Sequence, residues 1–372
     1  MKAVIAIDSF KGCLTAREAC EAAARGVLDE CPGCDVALLP VADGGEGVAR
    51  VLTDALGGQM VTCSVCGPVG RPVDACYGLL PDGTAIIEMA QSSGLPLVPV
   101  DERNPENTTT RGLGELIIDA LDRGCRNFLV GLGGSATNDV GTGMLQALGV
   151  RFGIDGDSSG YMTGGLMEQV TSIDTAGMHP ALVESRFTCL CDVNNPLCGE
   201  RGAAAVYGPQ KGADEAMVQR LDSGARRFAA LTGNDGTCPG DGAAGGLGYA
   251  LRCFLKATLR PGIDVVLDAL HCDEHVSRSS LVITGEGASD RQTVMGKAAA
   301  GVLAIGSRHH VPVCLMAGHI EDADQLLEAG FAALYNINDG SDLPLEQLLA
   351  PAVATAHVTA TARIIARRFL AK

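Results

Sequence analysis

The sequence predicts an α/β protein in which both ends of the chain form one doubly wound parallel sheet and the middle forms a large inserted α/β domain. Strands and helices alternate over the first sixty-odd residues, and the same alternation returns over the last hundred, whereas the segment between them is less regular. Such alternation is typical of parallel sheets that carry helices on both faces. We therefore predict a discontinuous domain at residues 1–68 and 276–372, with residues 69–275 inserted.

The first domain begins with a strand at the apolar run 2–7, followed by a helix that starts after Thr15. Thr15 is a suitable N-cap, and Glu18 three residues later completes a capping box. A second apolar run at 35–41 predicts a strand. Residues 44–58 then predict a helix that ends in two glycines.

The inserted segment mixes antiparallel and parallel patterns. A Pro-Asp-Gly turn at 81–83 separates the apolar segments 74–80 and 84–90, which predicts an antiparallel hairpin. Later apolar runs at 128–130 and 187–191 each end in a polar or glycine-rich loop. These runs predict strands, and we expect the loops that follow them to contain functional residues.

The last hundred residues return to a regular alternation of strand and helix. The predicted strands are 279–287, 311–318 and 331–337, and the predicted helices are 297–309, 322–330 and a long amphipathic one from Leu345 to Leu370.

The composition limits the classes of function. The formal net charge is −16, with 44 Asp plus Glu against 28 Lys plus Arg, and so acidic a surface repels nucleic acid and anionic membranes. No apolar run approaches the roughly 20 residues that span a bilayer, and Asp8 interrupts the first apolar run with no cleavage site after it. We expect a cytoplasmic protein that acts on small molecules. A homo-oligomer is compatible with the sequence.

Fifteen cysteines raise the alternative of a zinc-holding regulatory protein. Cys31 and Cys34, taken with Cys63 and Cys66, have the spacing of a zinc ribbon. However, a helix-like stretch separates the two pairs, and the other cysteines sit singly in apolar surroundings, as small buried hydrophobes do. Disulfides are not expected without a secretion signal. A zinc protein would also leave the acidic loops described below unexplained.

Residues 126–143 contain the strongest single candidate for a ligand site. An apolar run ends in Gly131, Gly133 and Gly134, and helical spacing resumes at Met144. A strand that ends in glycines and continues as a helix exposes free N–H groups at the positive end of the helix dipole. We therefore predict that this segment holds phosphate.

The same loop formally matches the dinucleotide fingerprint G-x-G-x-x-A, through Gly131, Gly133 and Ala136. An NAD(P)-dependent oxidoreductase is therefore the alternative function. In that class an acidic residue that binds ribose ends a second strand about twenty residues further on. Asp155 and Asp157 lie instead in a glycine- and serine-rich loop, which disfavours the alternative.

Loops that combine acids with glycine or asparagine follow four predicted strands, at residues 8–12, 43–47, 192–196 and 285–287. In open α/β sheets, ligands bind beyond the carboxyl ends of the strands. Carboxylates beside anion-binding loops and a few lysines suggest phosphoryl transfer assisted by Mg²⁺. The candidate cations are Lys11, Lys211 and Lys297. The sequence contains neither a P-loop nor the HRD tripeptide of protein kinases, so a nucleotide site here is of another kind.

Taken in order along the chain, these loops resemble the motifs of the bacterial type I glycerate kinases. The matching segments are DSFKG at 8–12, PVADGGEG at 40–47, GLGGSATND at 131–139, CDVNNPL at 191–197, GPQKGA at 208–213, GAAGGLG at 242–248 and GEGASDRQTVMGK at 285–297. The resemblance implies phosphorylation of D-glycerate with ATP and Mg²⁺, usually to 2-phosphoglycerate. It also implies a split flavodoxin-like domain that holds an inserted α/β domain. Two positions depart from the family, with Val140 where it favours Gly and Asp241 where it favours Ala.

We predict that the active site lies in the cleft between the two domains. The predicted catalytic residues are Asp43 or Asp192, as base or orienting group for the attacking hydroxyl, and Lys11, at the transferred phosphoryl group. Glu286 and Asp290 are the predicted Mg²⁺ ligands. The predicted substrate- and phosphate-binding residues are Asp8, Ser9, Gly44, Gly45, Gly133, Gly134, Ser135, Thr137, Asn138, Asn195, Lys211 and Lys297. The anion at Ser135, Thr137 and Asn138 is either nucleotide phosphate or the glycerate carboxylate.

Overall fold

Strands and helices alternate along the chain in the computed structural model, which describes residues 1–45, 47–155 and 160–370. The chain divides into two compact units, of which the first joins Met1–Asp43 to Ile263–Lys372 and the second is Gly44–Gly262. Glu46, in the second acidic loop, and Asp157 lie outside the described residues.

The elements of the described residues are numbered in chain order. The strands are β1 (Lys2–Ile7), β2 (Asp35–Leu38), β3 (Gln59–Cys66), β4 (Pro72–Leu79), β5 (Thr84–Glu88), β6 (Asn127–Gly131), β7 (Arg151–Ile154), β8 (Val170–Asp174), β9 (Arg186–Leu190), β10 (Thr258–Arg260), β11 (Leu281–Ser289), β12 (Val313–Ile320) and β13 (Ala333–Asn336). The α-helices are α1 (Ala16–Glu30), α2 (Val48–Ala55), α3 (Ala90–Ser93), α4 (Arg111–Asp122), α5 (Thr142–Ala147), α6 (Ala203–Tyr207), α7 (Glu215–Thr232), α8 (Ala243–Leu255), α9 (Gly262–Ala269), α10 (Cys272–Ser277), α11 (Ala298–Arg308), α12 (Ala323–Glu328), α13 (Leu345–Leu348) and α14 (Pro351–Phe369). Short 3-10 helices lie at Leu95–Leu97, Val100–Glu102, Gly164–Gln169, Pro180–Glu184, Pro209–Lys211 and Arg291–Val294.

The first unit contains a parallel sheet with the strand order β13-β12-β11-β1-β2. Renumbered within this unit, the order is 2-1-3-4-5, which is the flavodoxin-like arrangement. The chain runs from β1 to β2 on one side and returns to β11 on the other, so the strand order reverses between β1 and β11. The predicted doubly wound α/β class is confirmed, and the reversal marks the edge where ligands bind in such sheets.

Helices cover both faces of this sheet. On one face α1 and α14 pack together over a core that includes Ile5, Ile283 and Met316, and on the other face α11 lies against β11 and β12. The contact between α1 and α14 is close, because a Cβ on Gly26 would lie 2.1 Å from the carbonyl oxygen of Thr359. Small residues in these helices therefore do the packing that aromatic side chains do elsewhere.

The second unit contains a six-stranded mixed sheet in the order β10-β9-β6-β5-β4-β3, and a separate β7–β8 ribbon. The pairs β3–β4 and β4–β5 are antiparallel, so the predicted hairpin is present, whereas β5, β6, β9 and β10 run parallel. Phe128 and Phe187 stack across β6 and β9 with ring centroids 4.5 Å apart. The carboxyl ends of β6 and β9 therefore lie side by side, and the loops that follow them become neighbours.

The boundaries of the two units differ from the predicted boundaries at 68/69 and 275/276. Residues 44–66 belong to the second unit, because β3 pairs along its whole length with β4. Residues 263–275 belong to the first, where Ile263 and Leu267 pack so closely on α11 that a Cβ on Gly301 would come within 2.8 Å of each. Strand pairing and helix packing set these limits, and neither is a local property of the sequence.

The C-terminal helix predicted from Leu345 to Leu370 is divided into α13 and α14. Ala350 is extended, with φ −65° and ψ 127°, and Pro351 occupies the first turn of α14. Proline disfavours helical geometry in the residue before it but suits the first turn of a helix, so it starts a new helix here. In the described part of the chain, no helix combines the length and the apolar character needed to cross a membrane.

Candidate functional site

The first unit carries a cavity of about 560 Å³ at the carboxyl ends of β1, β11, β12 and β13. This is the edge where the strand order reverses, and the loops after these strands form the walls. Six of the predicted site residues line this cavity together, namely Asp8, Ser9, Lys11, Asp43, Glu286 and Lys297. Much of the remaining lining is apolar, and it includes residues from the end of β13 to the first turn of α14, namely Ile337, Leu345, Leu348, Leu349 and Ala354.

Carboxylates dominate the electrostatics of the first cavity. Burial raises the pKa of Asp8 to about 6, the backbone N–H of Ser9 opposes the shift by donating to Asp8 Oδ1 at 2.5 Å, and repulsion from Asp43 and Glu286 adds to it. Three acidic side chains therefore act on one another in the same small space. A cation bound beside these side chains would relieve the repulsion and favour the charged form of Asp8.

Glu286 and Asp290, the predicted metal ligands, have different settings. Glu286 lines the cavity, accepts from Ser289 Oγ (3.1 Å) and Thr293 Oγ1 (2.6 Å), and lies 3.9 Å from Lys297 Nζ. Asp290 instead caps the 3-10 helix at Arg291–Val294, where Oδ1 accepts from the Gln292 N–H at 2.7 Å. Glu286 is therefore placed to face a ligand, whereas Asp290 is engaged in a local turn.

The donor chemistry of the first cavity fits Mg²⁺. The ion prefers hard oxygen ligands and is usually held by one or two carboxylates together with substrate phosphates. Asp8 and Glu286 supply carboxylate oxygens there, and Asp43 adds negative charge. Over residues 1–45, 47–155 and 160–370 the structure contains no group of three or more His, Cys, Asp or Glu side chains arranged as a metal site.

The raised pKa of Asp8 predicts a stability effect of the Asp8→Asn variant. Because the folded-state pKa lies near 6 and the unfolded value near 3.8, the native state binds more protons between these values, and wild-type stability falls as pH rises through this window. Asparagine keeps the acceptor for Ser9 and has no charge to desolvate. We expect the variant to be more stable than wild type at pH 7 to 8, by up to roughly 3 kcal/mol.

Urea unfolding between about pH 3.5 and 8 in the presence of a chelator measures this difference. The gain should vanish near the acidic end, where both states of the wild-type protein are protonated. A gain that does not change with pH would contradict the assignment to Asp8 ionisation.

The second unit carries a separate cavity of about 430 Å³, beyond the ends of β6 and β9. Its walls include seven of the predicted site residues, namely Gly44, Gly45, Gly133, Gly134, Ser135, Asp192 and Lys211. The two glycine segments run close together, since a Cβ on Gly133 would lie 3.8 Å from Gly45 Cα. Gly44 has φ +87°, and a Cβ there would meet Gly262 Cα at 2.4 Å, so only glycine fits.

Lys211 is the basic side chain in the described lining of this cavity, and only 2% of its surface is exposed. Its Nζ donates to Ser135 Oγ at 2.8 Å and to the carbonyl oxygen of Thr137 at 2.7 Å. Burial lowers the pKa of Lys211 to about 7, although the charge of Asp139 opposes the shift. Lys211 is therefore a buried side chain that hydrogen-bonds to the loop after β6, rather than a solvated surface lysine.

Asp139 fills the helix N-terminus that the sequence suggested for phosphate. Its buried carboxylate accepts from the N–H groups of Thr110, Gly141 and Gly143 and from Thr110 Oγ1. Thr110 Oγ1 in turn accepts from the Met144 N–H at 3.0 Å. The N–H groups at the start of α5 are thus engaged within the chain, and the prediction that the segment 126–143 holds phosphate stays a prediction for its glycine residues. Burial raises the pKa of Asp139 in spite of these hydrogen bonds.

Of the three polar side chains predicted to contact an anion, only Ser135 lines the second cavity among the described residues. Thr137 and Asn138 are fully buried, and within the described protein atoms Thr137 Oγ1 and both polar atoms of the Asn138 side chain have no hydrogen-bond partner. The side chains of Thr137 and Asn138 therefore lie in the protein interior and not in the described lining of the cavity.

Asp192 lines the second cavity, and Asn195 contacts a residue that lines it. Asp192 Oδ1 accepts from the Gly262 N–H at 2.8 Å, and the side chain lines the cavity. Asn195 does not reach the wall itself, but its Oδ1 accepts from the Tyr207 hydroxyl at 2.7 Å and its Nδ2 donates to the Arg201 carbonyl oxygen. Asn195 therefore acts through Tyr207, which lines the cavity.

Glu88, which sequence reasoning missed, holds the end of the glycine segment 44–47 in place. It is 4% exposed and accepts from the N–H groups of Gly47 (3.1 Å) and Ala49 (2.8 Å), at the start of α2. It also pairs in register with Gly131, the residue that begins the glycine segment 131–134. The sequence contained one signal for this role, because Glu88 is the only charged residue in the apolar segment AIIEMA at 85–90. A carboxylate that is buried in a strand needs hydrogen-bond donors around it.

We expect Glu88→Ala to lower the free energy of unfolding by about 1–3 kcal/mol, because the buried Ala49 N–H and the half-buried Gly47 N–H lose their acceptor. Urea unfolding measures the change. Glu18→Ala is the matched control, since Glu18 completes the exposed capping box of α1 and its loss should cost about 0.5–1 kcal/mol. Equal losses for the two variants would show that burial of Glu88 contributes nothing.

The two residues that depart from the glycerate kinase pattern are Val140, which has a strained backbone, and Asp241, whose charge is paired with an arginine. Val140 has φ +49°, a left-handed conformation that glycine adopts freely and a β-branched residue rarely adopts, and its N–H donates to the Gly245 carbonyl oxygen at 3.0 Å. Asp241 is buried against Arg252, with a bidentate pair at 2.7 and 2.9 Å. Neither residue is among the described residues that line the two cavities.

Comparisons with known proteins agree on one family. The family model described as "Glycerate kinase family" matches residues 3–370. A glycerate kinase of Bacillus subtilis is 47% identical over 98% of this chain and 97% of its own length, and a glycerate 2-kinase of Escherichia coli is 43% identical over 91% and 90%. The crystal structure of a candidate glycerate kinase 2 from Salmonella typhimurium LT2 superposes with a TM-score of 0.89 at 41% identity, over 99% of this chain and 98% of that one.

Proposed function

The chain belongs to the glycerate kinase family, and we propose that it transfers the γ-phosphoryl group of ATP to the 2-hydroxyl of D-glycerate in the presence of Mg²⁺. Two cavities at strand ends carry the proposal. One holds acids with Lys11 and Lys297, and the other holds glycine segments with Ser135 and Lys211. Both combinations suit anionic ligands of a strongly acidic protein, because local cations and amides must overcome its net charge of −16. An ATP-dependent reaction would take place in the cytoplasm.

The lysines of the first cavity would stabilise the phosphoryl group during transfer. Lys11 and Lys297 line the same cavity as Asp8 and Glu286, and Lys297 Nζ lies 3.9 Å from Glu286. Mg²⁺, when bound through Asp8 and Glu286, would supply charge neutralisation at the phosphate oxygens. Asp290, the other predicted ligand, would contribute only if its capping hydrogen bond opened.

The acceptor hydroxyl needs a carboxylate to orient it and to take its proton. Asp43 in the first cavity and Asp192 in the second are the two candidates. The proton would move from the hydroxyl to the carboxylate while the oxygen forms its bond to phosphorus, and ADP would leave. A carboxylate in this position contributes about 10²- to 10⁴-fold to the rate.

Ser135, Lys211 and the amides of Gly133 and Gly134 would hold a carboxylate or a phosphate in the second cavity. The cleft location predicted from the sequence stays a prediction.

The NAD(P)-dependent alternative receives no support from the relatives named above, and the loop after β6 uses Asp139 to cap α5 rather than leaving its N-terminus for a pyrophosphate. The name of the Escherichia coli relative, a glycerate 2-kinase, favours the 2-phospho product for this chain.

Identification of the product by NMR tests the proposal. Wild-type protein with D-glycerate, ATP and Mg²⁺ should give a phosphorus resonance coupled to the single proton on C2. Coupling to the two protons on C3 would overturn the regiochemistry. No phosphoglycerate from the folded protein would overturn the ATP-dependent reaction, and equal rates in excess chelator would overturn the role of Mg²⁺.

A further inference from the structure

We propose that the first cavity is the nucleotide site, with the base against the apolar wall formed by β13, α13 and α14 and the triphosphate at Lys11 and Lys297. This inference rests on the proposed function, since it assigns the ATP of that reaction to one of two cavities. The second cavity is then left for the hydroxy acid.

The apolar wall carries leucines that the protein itself does not bury. Leu345 is 70% exposed and Leu349 is 43% exposed, and both line the cavity with Leu348 and Ile337. Grouped exposed leucines in a concave wall mark a ligand site more often than a bare surface. A flat aromatic base would cover them and remove their apolar surface from water.

The polar groups nearest this wall are already used within the protein. Asn338 Nδ2 donates to the Gly318 carbonyl oxygen at 2.8 Å, and its Oδ1 accepts from Nδ1 of His357 at 2.9 Å. Asn338 therefore fixes the end of β13, and His319, an exposed polar side chain in the lining, lies 3.2 Å from Glu321, so the leucines remain as the unpartnered apolar surface. A ligand part that binds here must itself be largely apolar.

The same cavity also contains charged side chains, with Lys11 and Lys297 in its lining together with Asp8, Asp43 and Glu286. One cavity thus joins an apolar half to a charged half that suits a metal-bound polyphosphate. A nucleoside triphosphate has both halves in one molecule. Glycerate has a polar group on each of its three carbons, so it offers nothing to cover Leu345 or Leu349.

The position in the fold agrees with this assignment. The cavity lies where the strand order reverses between β1 and β11, and open α/β sheets of the 2-1-3-4-5 order bind ligands at this point. The second cavity lacks such a wall of exposed leucines, because its described lining consists mainly of glycines and alanines, polar side chains and buried or half-buried apolar residues.

A tryptophan reporter tests the assignment directly, because the chain contains no Trp. Leu345→Trp places one in the apolar wall of the first cavity, and Leu95→Trp places one in the wall of the second. The β,γ-imido analogue of ATP, added with Mg²⁺ and without glycerate, should change the emission of Leu345→Trp in a saturable way. D-Glycerate alone should leave Leu345→Trp unchanged.

The KM values of two variants at exposed leucines give a second, independent measurement. Leu349→Glu should raise the KM for ATP by about tenfold or more, because it puts a charge against the apolar base, while the KM for glycerate stays within about twofold. Leu327→Glu on α12 is the matched control, since Leu327 is 47% exposed and lies outside the described lining of both cavities. It should change neither KM.

The outcomes separate this inference from the proposed function. If wild type makes phosphoglycerate but the ATP analogue perturbs Leu95→Trp and not Leu345→Trp, the assignment is overturned and the kinase function stands. If Leu349→Glu and Leu327→Glu change the KM for ATP equally, the apolar wall does not bind the base. A wild-type protein that makes no phosphoglycerate fails the proposed function itself.

Discussion

Asp192→Asn is expected to lower kcat by about 10²- to 10⁴-fold, the usual contribution of a general base, with little change in stability. Asp192 Oδ1 accepts from the Gly262 N–H, and the amide oxygen of asparagine can accept the same hydrogen bond. Asparagine cannot take the proton of the attacking hydroxyl. The variant therefore separates proton transfer from the structural contact. Initial rates at saturating ATP and glycerate, with urea unfolding of both proteins, measure the two effects.

Asp43→Asn is the matched comparison, because Asp43 is the other candidate for the same role. If Asp192→Asn retains near-normal turnover with its fold intact, Asp192 takes no part in the chemistry. Loss of activity in Asp43→Asn alone would then identify Asp43 as the base. The Asp43 variant has a second readout, since removal of its charge should lower the pKa of Asp8, which Asp43 helps to raise.

Lys211→Met is expected to lower both stability and activity. The change removes the donor to Ser135 Oγ and to the Thr137 carbonyl oxygen, and a buried acceptor left without a partner costs about 1–3 kcal/mol. If Lys211 also binds an anionic ligand through Ser135, kcat/KM should fall by about 10²- to 10³-fold, as for other preorganised donors at a reacting anion. Urea unfolding and initial rates measure the two losses separately.

The pH dependence of stability tests the burial of Lys211 independently of activity. The folded-state pKa is about 7 and the unfolded value about 10.5, so the unfolded state binds more protons between these values. Wild-type stability should therefore gain from this group as pH rises from about 7 towards 10. Lys211→Met should lack that gain, so the stabilities of the two proteins diverge across this window. Parallel profiles would contradict a neutral, buried lysine in the folded protein.

Local patterns in the sequence were sufficient for many of the elements. The capping box of Thr15 and Glu18 starts α1 as predicted, because both hydrogen bonds form between residues three apart. The Pro-Asp-Gly turn joins β4 and β5, and the apolar run at 2–7 forms β1. The grouping of Asp8, Lys11, Asp43, Glu286 and Lys297 in one cavity also follows from a simple rule, since parallel strands end at the same edge of a sheet.

The burial of the charged groups could not be predicted in this way. Glu88 contacts a backbone N–H 41 residues away, and Lys211 contacts Ser135 from 76 residues away. Nothing local in the sequence distinguishes these side chains from solvated ones. The same holds for Asp139, which takes the helix terminus that the glycine pattern offered to phosphate.

The amino-acid sequence by itself determined the alternation of strand and helix, the loops that follow the strands and the family motifs those loops contain, because all of these depend on neighbours along the chain. The tertiary structure alone decided where the two units divide and which carboxylates cap helices rather than face ligands. It also decided that the key lysine of the second cavity is buried. These properties depend on contacts between segments far apart in the chain, and their free energies exist only once the sheets have formed.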